Sequence, residues 1–440
     1  MHLSQKVALN TIIQIVTKIV TVCFGLATMI LLTSSLGREG YGNYMYILTL
    51  VTIFGAFSDW GTATIGVREA SRVKEKQDEI LVNVFFIRLV LAFFGACLMI
   101  GLAFLLPLGI SNYLLIRQGI LLGSLILILF AIKASFGLIF QTKMQMQKLA
   151  VADILASALV FLISWIFIKM HLGLMALIGA ILIANIVAVF TVGFLAVKTI
   201  RFHLKIDRQF IKNFLFESLP MGAVLLMFTV DNKIDTVMLG YLKGADAVGI
   251  YAVAYRVYDV LILGAAYLMS SLLPVISQYA TKDDWRNKFK IIYQKSFDVL
   301  LIMGLIIFLF GFFGSPLIIR ILTLNRFGEF FDTISILRIL SFAIFLSYFN
   351  HLTGYTLVSL KKQNSYFFIA FSALVFNVVL NLIVIPYFSY WGAAMITVAT
   401  EFLVLIATSI FIYKTIGVVP SLFGFPKTLM QLIKQKGKIF

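Results

Sequence analysis

Charge is scarce in this sequence: Asp, Glu, Lys and Arg make up 12% of 440 residues, while 61% are hydrophobic. A soluble domain carries about a quarter charged residues, so a soluble fold is excluded. Cysteine is nearly absent. Cys23 and Cys97 both fall in apolar runs, which excludes a disulfide framework or a cysteine-based metal site. Proline is rare, at seven residues, so the apolar runs go on largely unbroken. No loop is long enough for a soluble domain; the longest outer one, 314–333, has about 20 residues and contains Pro316. That counts against a membrane glycan polymerase or ligase, enzymes that typically carry a large outer loop with catalytic residues. Nothing resembles a phosphate-binding loop, a zinc cluster or a hydrolytic triad. No enzyme activity, catalytic residue, metal or cofactor is therefore expected, and energy must come from an ion gradient, the membrane potential or the substrate gradient.

What is present is a series of apolar runs of about 20 residues or more, the length of a membrane helix. A membrane β-barrel would alternate over about 10 residues. The reading is an all-α integral membrane protein with about 12 transmembrane helices, at 10–36, 44–67, 80–106, 118–140, 149–168, 173–197, 214–242, 248–278, 291–313, 334–360, 366–385 and 391–413. The polar start, with no cleavage site after the first run, makes 10–36 a retained span. Basic residues test the count. Odd-numbered gaps hold six, and even-numbered gaps with the two ends hold twenty-three. This asymmetry places both termini in the cytoplasm. The net charge of +17 is thus mostly topology signal, and no nucleic-acid partner is expected.

Charges within the spans need a separate account, because charge at membrane depth is costly and marks function by default. The cations are Lys18, Arg88, Lys133, Lys233, Arg256, Lys295 and Arg338. Those near span ends can snorkel to the interface. Lys18 lies about 12 Å along the helix from the inner end of its span, so snorkelling and a site role both remain open. Arg256 has Asp259 at i+3, on the same face, which permits an internal ion pair. The acidic candidates for binding a coupling ion are Asp59, Asp231, Asp235, Asp259 and Glu401, with structural pairing as the alternative for each. Asp231 and Asp235 are i,i+4 and share a face, while Lys233 points about 200° from Asp231. All three cannot line one cavity on a straight helix.

The chain also repeats. Leu36-Gly37 ends the first span and Leu239-Gly240 the seventh; Gly42/Tyr44 then matches Gly249/Tyr251, an offset of 207 residues. Two six-helix bundles follow, residues 1–200 and 214–416, related by a pseudo-twofold axis along the membrane normal, as in transporters with parallel repeats. Residues 201–213 form a basic cytoplasmic linker. Residues 417–440 form a basic amphipathic tail.

The run Leu36-Gly37-Arg38-Glu39-Gly40-Tyr41-Gly42-Asn43-Tyr44 resembles the first outer loop of polysaccharide flippases. So do Phe57-Ser58-Asp59-Trp60-Gly61 with Ile65-Gly66-Val67-Arg68-Glu69, and Leu219-Pro220 with Asp235, Leu239-Gly240 and Val248 to Ala254. Together they resemble the Wzx-type O-antigen and capsule flippases of the multidrug/oligosaccharidyl-lipid/polysaccharide (MOP) superfamily, over essentially the whole chain. The resemblance implies alternating access around a central cavity. It implies translocation of an undecaprenyl-diphosphate-linked glycan from the inner to the outer face of the bacterial cytoplasmic membrane. Membrane lipids, and polysaccharide assembly proteins, are the partners it implies. A diphosphate crossing hydrocarbon needs cations, and Lys18, Arg88, Lys133, Lys233 and Arg256 are the candidates. The competing reading is a cation-coupled drug antiporter of the same superfamily, which would have an acidic cavity.

Overall fold

The computed structural model describes residues 3–105, 113–200, 207–279, 285–360, 362–417 and 419–421. Among these, ten helices are long and apolar enough to cross a membrane. Two are too long for one crossing. The helical stretch Leu9–Arg72 has 64 residues and Gln363–Ile416 has 54, whereas about 20 span a bilayer. Each breaks sharply near the middle of its apolar length, at Gly37 (φ 68°) and at Ser389 (φ 51°). Divided there, the ten helices become the twelve spans read from the sequence.

The helices are α1 (Leu3–Asp59), α2 (Thr62–Arg72), α3 (Gln77–Leu105), α4 (Tyr113–Thr142), α5 (Met146–Lys169), α6 (Leu174–Val197), α7 (Arg208–Lys243), α8 (Ala245–Leu261), α9 (Leu263–Tyr279), α10 (Trp285–Thr323), α11 (Thr333–Ser359) and α12 (Gln363–Ile416). They form two compact units, Met1–Gly249 with Leu322–Arg326, and Ile250–Ile321 with Phe327–Phe440.

In the first unit, small residues let helices approach where lipid provides no hydrophobic drive. Gly119 and Gly123 of α4 receive Ile47 and Val51 of α1. The second span does not run smoothly to residue 67. It breaks at Trp60-Gly61, where Gly61 is left-handed (φ 70°), and α2 restarts at Thr62. The reason is steric: a Cβ on Gly61 would stand 2.7 Å from the Gly222 nitrogen of α7. Asp207 caps α7 by accepting from the backbone N–H groups of Gln209 and Phe210, both at 3.0 Å, as a good N-cap does. Residues 208–213 of the expected linker therefore form the start of α7, with Asp207 as its N-cap, and 201–206 lie outside the described residues. So does the tail beyond residue 421.

The repeat has a different register from the one its Leu-Gly pairs imply. Gly37 (φ 68°, ψ −172°) and Gly244 (φ 84°, ψ −178°) share one backbone conformation, at the same 207-residue offset as Gly42 and Gly249. The structural counterpart of Gly37 is Gly244, and Gly240 lies inside α7.

Helix α10 continues through the expected outer loop to Thr323, and a 3-10 segment follows over Leu324–Phe330. Pro316 within α10 cannot donate to the Phe312 carbonyl four residues back. That carbonyl is satisfied otherwise: Ser315 Oγ donates to it at 2.9 Å and Arg338 Nε at 3.4 Å. Arg338 thus repairs a helix. Helix α11 buries a row of polar side chains, including Ser341, Ser347, Asn350, Thr353 and Thr356.

Candidate functional site

In the first unit, tertiary structure pairs two of the candidate cations. Arg88, on α3, is buried. Its Nη1 donates to Asp59 Oδ1 at 2.7 Å and to Thr62 Oγ1 at 3.1 Å, and its Nε donates to Ser135 Oγ at 2.9 Å. The same Asp59 oxygen accepts from the Ala63 backbone N–H at 3.1 Å, which caps α2. One guanidinium therefore ties together the end of α1, the start of α2, α3 and α4. Lys133 Nζ of α4 pairs with Asp153 of α5 at 3.0 Å.

Removing one partner of a buried pair costs more than the pair contributes, because the other charge stays buried. We expect Asp59→Ala to destabilise the protein by about 3 kcal/mol, the low end of the range for broken buried pairs, since Asp59 itself is 37% exposed. The Asp59→Ala/Arg88→Met double variant should recover most of that loss. Thermal midpoints in detergent check both; equal midpoints for the single variant and the parent would rule out a structural role.

Lys18 is placed differently. It is exposed on the first span, and among the described residues no carboxylate pairs with it. Arg256 is half-buried on α8, and among the described residues no ion pair joins it to Asp259. On α7, Asp235 is buried and Asp231 and Lys233 are half-buried. None of these three is without a partner. The helix is continuous through all of them, so the helical spacing holds and Lys233 lies off the face shared by the two aspartates.

The second unit holds a carboxylate nest. Glu401 Oε1 accepts from Tyr258 Oη at 2.6 Å, and Oε2 accepts from Asn350 Nδ2 at 2.5 Å. Asn350 Nδ2 also reaches the Glu401 backbone carbonyl at 2.8 Å. His351 Nδ1 lies 2.7 Å from the Ser347 carbonyl on the same helix. Among the described residues no cation forms an ion pair with Glu401; neutral groups hold it. Asn350 Oδ1 is buried with no hydrogen-bond partner. The nest can therefore serve both protonation states. A carboxylate accepts from Tyr258 and Asn350, and a protonated carboxyl can donate to Asn350 Oδ1 once the amide turns. Tyr258, Thr62 and Ser135 were not singled out from the sequence. Tyr258 was findable, being one residue before Asp259 in a span, but its partner lies 143 residues away.

These features define an all-helical, multi-pass membrane protein with charged side chains built into its spans, and its fold is that of the MOP transporters. It has a TM-score of 0.74 to the lipid II flippase MurJ in an inward closed conformation, at 16% identity over 98% of this chain and 93% of that one. For an inward-facing multidrug resistance MATE transporter the values are 0.73 and 16%, over 96% of each chain. A MOP superfamily transporter from Pyrococcus furiosus gives 0.65 at 18% identity, over 98% of this chain and 96% of that one. The polysaccharide biosynthesis protein family matches residues 7–280, and the chain belongs to that family. The MatE family matches residues 220–383. No curated protein matches the chain.

Proposed function

We propose that the protein is a flippase. It carries an undecaprenyl-diphosphate-linked oligosaccharide, such as an O-antigen or capsule unit, from the inner to the outer face of the bacterial cytoplasmic membrane by alternating access. Both termini are cytoplasmic in this reading. The observation that carries it is the sorting of the in-span cations. Arg88 and Lys133 are committed to Asp59 and Asp153, whereas Lys18 and Arg256 have no carboxylate partner among the described residues. A cation at membrane depth without a protein partner needs water or an anionic ligand, and a diphosphate is such a ligand. Membership of a polysaccharide biosynthesis family supports this substrate class, as does the fold shared with a lipid II flippase.

The Glu401 nest supports coupling to a cation. Neutral donors hold the carboxylate, with His351 nearby, and among the described residues no Lys or Arg forms an ion pair with it, so a proton or a sodium ion can enter and leave without breaking a salt bridge. The drug-antiporter reading is favoured by the MatE match over residues 220–383 and by the same nest. It requires an acidic substrate cavity, and Lys18 and Arg256, which have no carboxylate partner among the described residues, count against it.

Deletion of the gene in its host tests the substrate class. Lipid-linked glycan should accumulate on the inner leaflet, shielded from a glycosidase added outside, and the parent gene should restore its exposure. Full exposure without the protein, in a host with no second flippase, would contradict the proposal.

A further inference from the structure

In the second unit, α11 and the part of α12 beyond Ser389 are joined by polar rungs. Tyr390 Oη donates to Asp332 Oδ2 at 2.7 Å, and Trp391 Nε1 to Ser335 Oγ at 2.8 Å. Asn350 then holds Glu401, and Thr408 Oγ1 meets Thr353 Oγ1 at 2.9 Å. The partners follow in the same order on both helices, so the two run parallel along one seam. The last rung differs from the others: it joins two buried hydroxyls, and each has a second acceptor. Thr353 Oγ1 reaches the Asn350 carbonyl at 3.3 Å and Thr408 Oγ1 the Val404 carbonyl at 2.7 Å. Either hydroxyl can therefore donate to the other, and a turn of both reverses the bond. Polar atoms without a protein partner lie along the same seam. Thr356 Oγ1 is one turn beyond Thr353, and Asn350 Oδ1 and Thr400 Oγ1 flank Glu401 in sequence and space. Buried polar atoms of this kind are where internal water binds.

A cavity of about 280 Å³ reaches this rung, room for several waters. Three hydroxyl-bearing residues, Tyr293, Thr353 and Ser409, line it together with apolar ones such as Phe349 and Leu405. Ser409 is exposed and Thr353 is buried, so the cavity leads inward from the surface. On α12, Leu405 and Ser409 stand one and two turns beyond Glu401, about 6 and 12 Å along the helix. The mouth is polar. Pro420 lines the cavity, and the next residue, Ser421, exchanges two hydrogen bonds with the Gln294 side chain, both at 2.7 Å. The fully buried Asp298 orients Gln294 by accepting from its Nε2 at 2.8 Å. The mouth therefore lies past the last turn of α12, which ends at Ile416.

We propose that Glu401 exchanges a proton with the side on which α12 ends, through this cavity and the Thr353–Thr408 rung. The proposal rests on the coupling role given to Glu401 above, and it makes the coupling ion a proton. A proton from cavity water goes to the Thr408 oxygen as that hydroxyl gives its own proton to Thr353. Thr353 hands one on to the carboxylate through water held by Asn350 Oδ1 and Thr400 Oγ1. Each oxygen on the way gains one proton and loses one, and the hydroxyls then turn back. A sodium ion cannot follow, because two hydroxyls in contact leave it no passage. The titratable groups around Glu401 are Tyr258 and Asp259 on α8 and His351 on α11. Tyr258 already donates to the carboxylate, and His351 Nδ1 is held at the Ser347 carbonyl.

The test needs no transport substrate. The purified full chain is taken through a pH jump, and protonation is followed by the infrared carboxyl band of Glu401, identified by its loss in Glu401→Gln. Thr353→Val with Thr408→Val keeps the shape of the rung and removes both hydroxyls. Protonation should slow by about tenfold or more, where a positioned proton-transfer group supplies about 10²–10⁴-fold, and the titration midpoint should stay where it is. Ser409→Phe blocks the cavity at an exposed position and leaves the nest untouched. It should slow protonation likewise, and it serves as the test where the double variant does not fold. A parent-like rate in Ser409→Phe, or in the folded double variant, would overturn the route, as would slowing by His351→Gln alone. In those cases Glu401 still titrates and its coupling role stands. A parent protein with no titrating Glu401 band would instead overturn the coupling role, and the route with it.

Discussion

Glu401→Gln is expected to abolish ion-driven accumulation of substrate while leaving downhill movement measurable. Glutamine keeps the shape and still accepts from Tyr258, but it cannot cycle between a charged and a neutral state. Asn350 can meet the new amide by presenting Oδ1, which is unpartnered in the present structure, so folding should survive. For one-to-one coupling, a tenfold cation gradient is worth about 1.4 kcal/mol and sustains about tenfold accumulation. In the variant that ratio should fall to about one for proton and sodium gradients alike. Vesicles with an imposed gradient measure it. Undiminished accumulation would place the coupling site elsewhere, and the α7 aspartates would be the next candidates. Tyr258→Phe should give a partial effect, because Asn350 still holds the carboxylate.

Replacing Lys18 should weaken substrate binding more than any other single cation change. Hydrogen bonds to charged groups contribute about 1.5–3 kcal/mol, which is roughly 10- to 100-fold in affinity. Lys18→Ala should raise the half-saturating glycan concentration by that factor, and Lys18→Glu should stop translocation. Lys18→Arg should retain most activity, since a guanidinium also suits phosphate. Thermal stability should not change, because among the described residues Lys18 pairs with no carboxylate. That contrast separates it from Arg88, whose loss should lower stability. Normal transport by Lys18→Glu would make Lys18 a snorkelling residue and remove the main support for a diphosphate ligand.

The spans were legible because a bilayer imposes a length on apolar runs, and twelve runs of that length leave little freedom. The breaks were harder. Gly61 is one glycine in a span until α7 is seen against it, and Pro316 looks like a loop residue until Ser315 and Arg338 are seen on the Phe312 carbonyl. Sequence likeness aligned Gly37 with Gly240, yet the backbone conformation matches Gly244, because a φ angle leaves no mark that letters alone reveal. The site followed the same rule. That charges lay in the spans was plain. Which were spent on structure was not, because Arg88 meets Asp59, Thr62 and Ser135 only after four helix segments pack. Glu401 likewise depends on residues 51 and 143 positions away. Arg256 and Asp259 show the converse: helical spacing brings them to one face, and among the described residues no ion pair joins them.

The central claim is that the protein moves a polyprenyl-diphosphate-linked glycan across a bilayer. The most direct test is purified protein in vesicles carrying such a glycan from the host on the inner leaflet, with an impermeant lectin or glycosidase outside. The account predicts that glycan becomes accessible with the parent protein, faster with a cation gradient, and no faster than in protein-free vesicles with Lys18→Glu. Equal accessibility with and without the parent protein, under proton and sodium gradients in both directions, would contradict it.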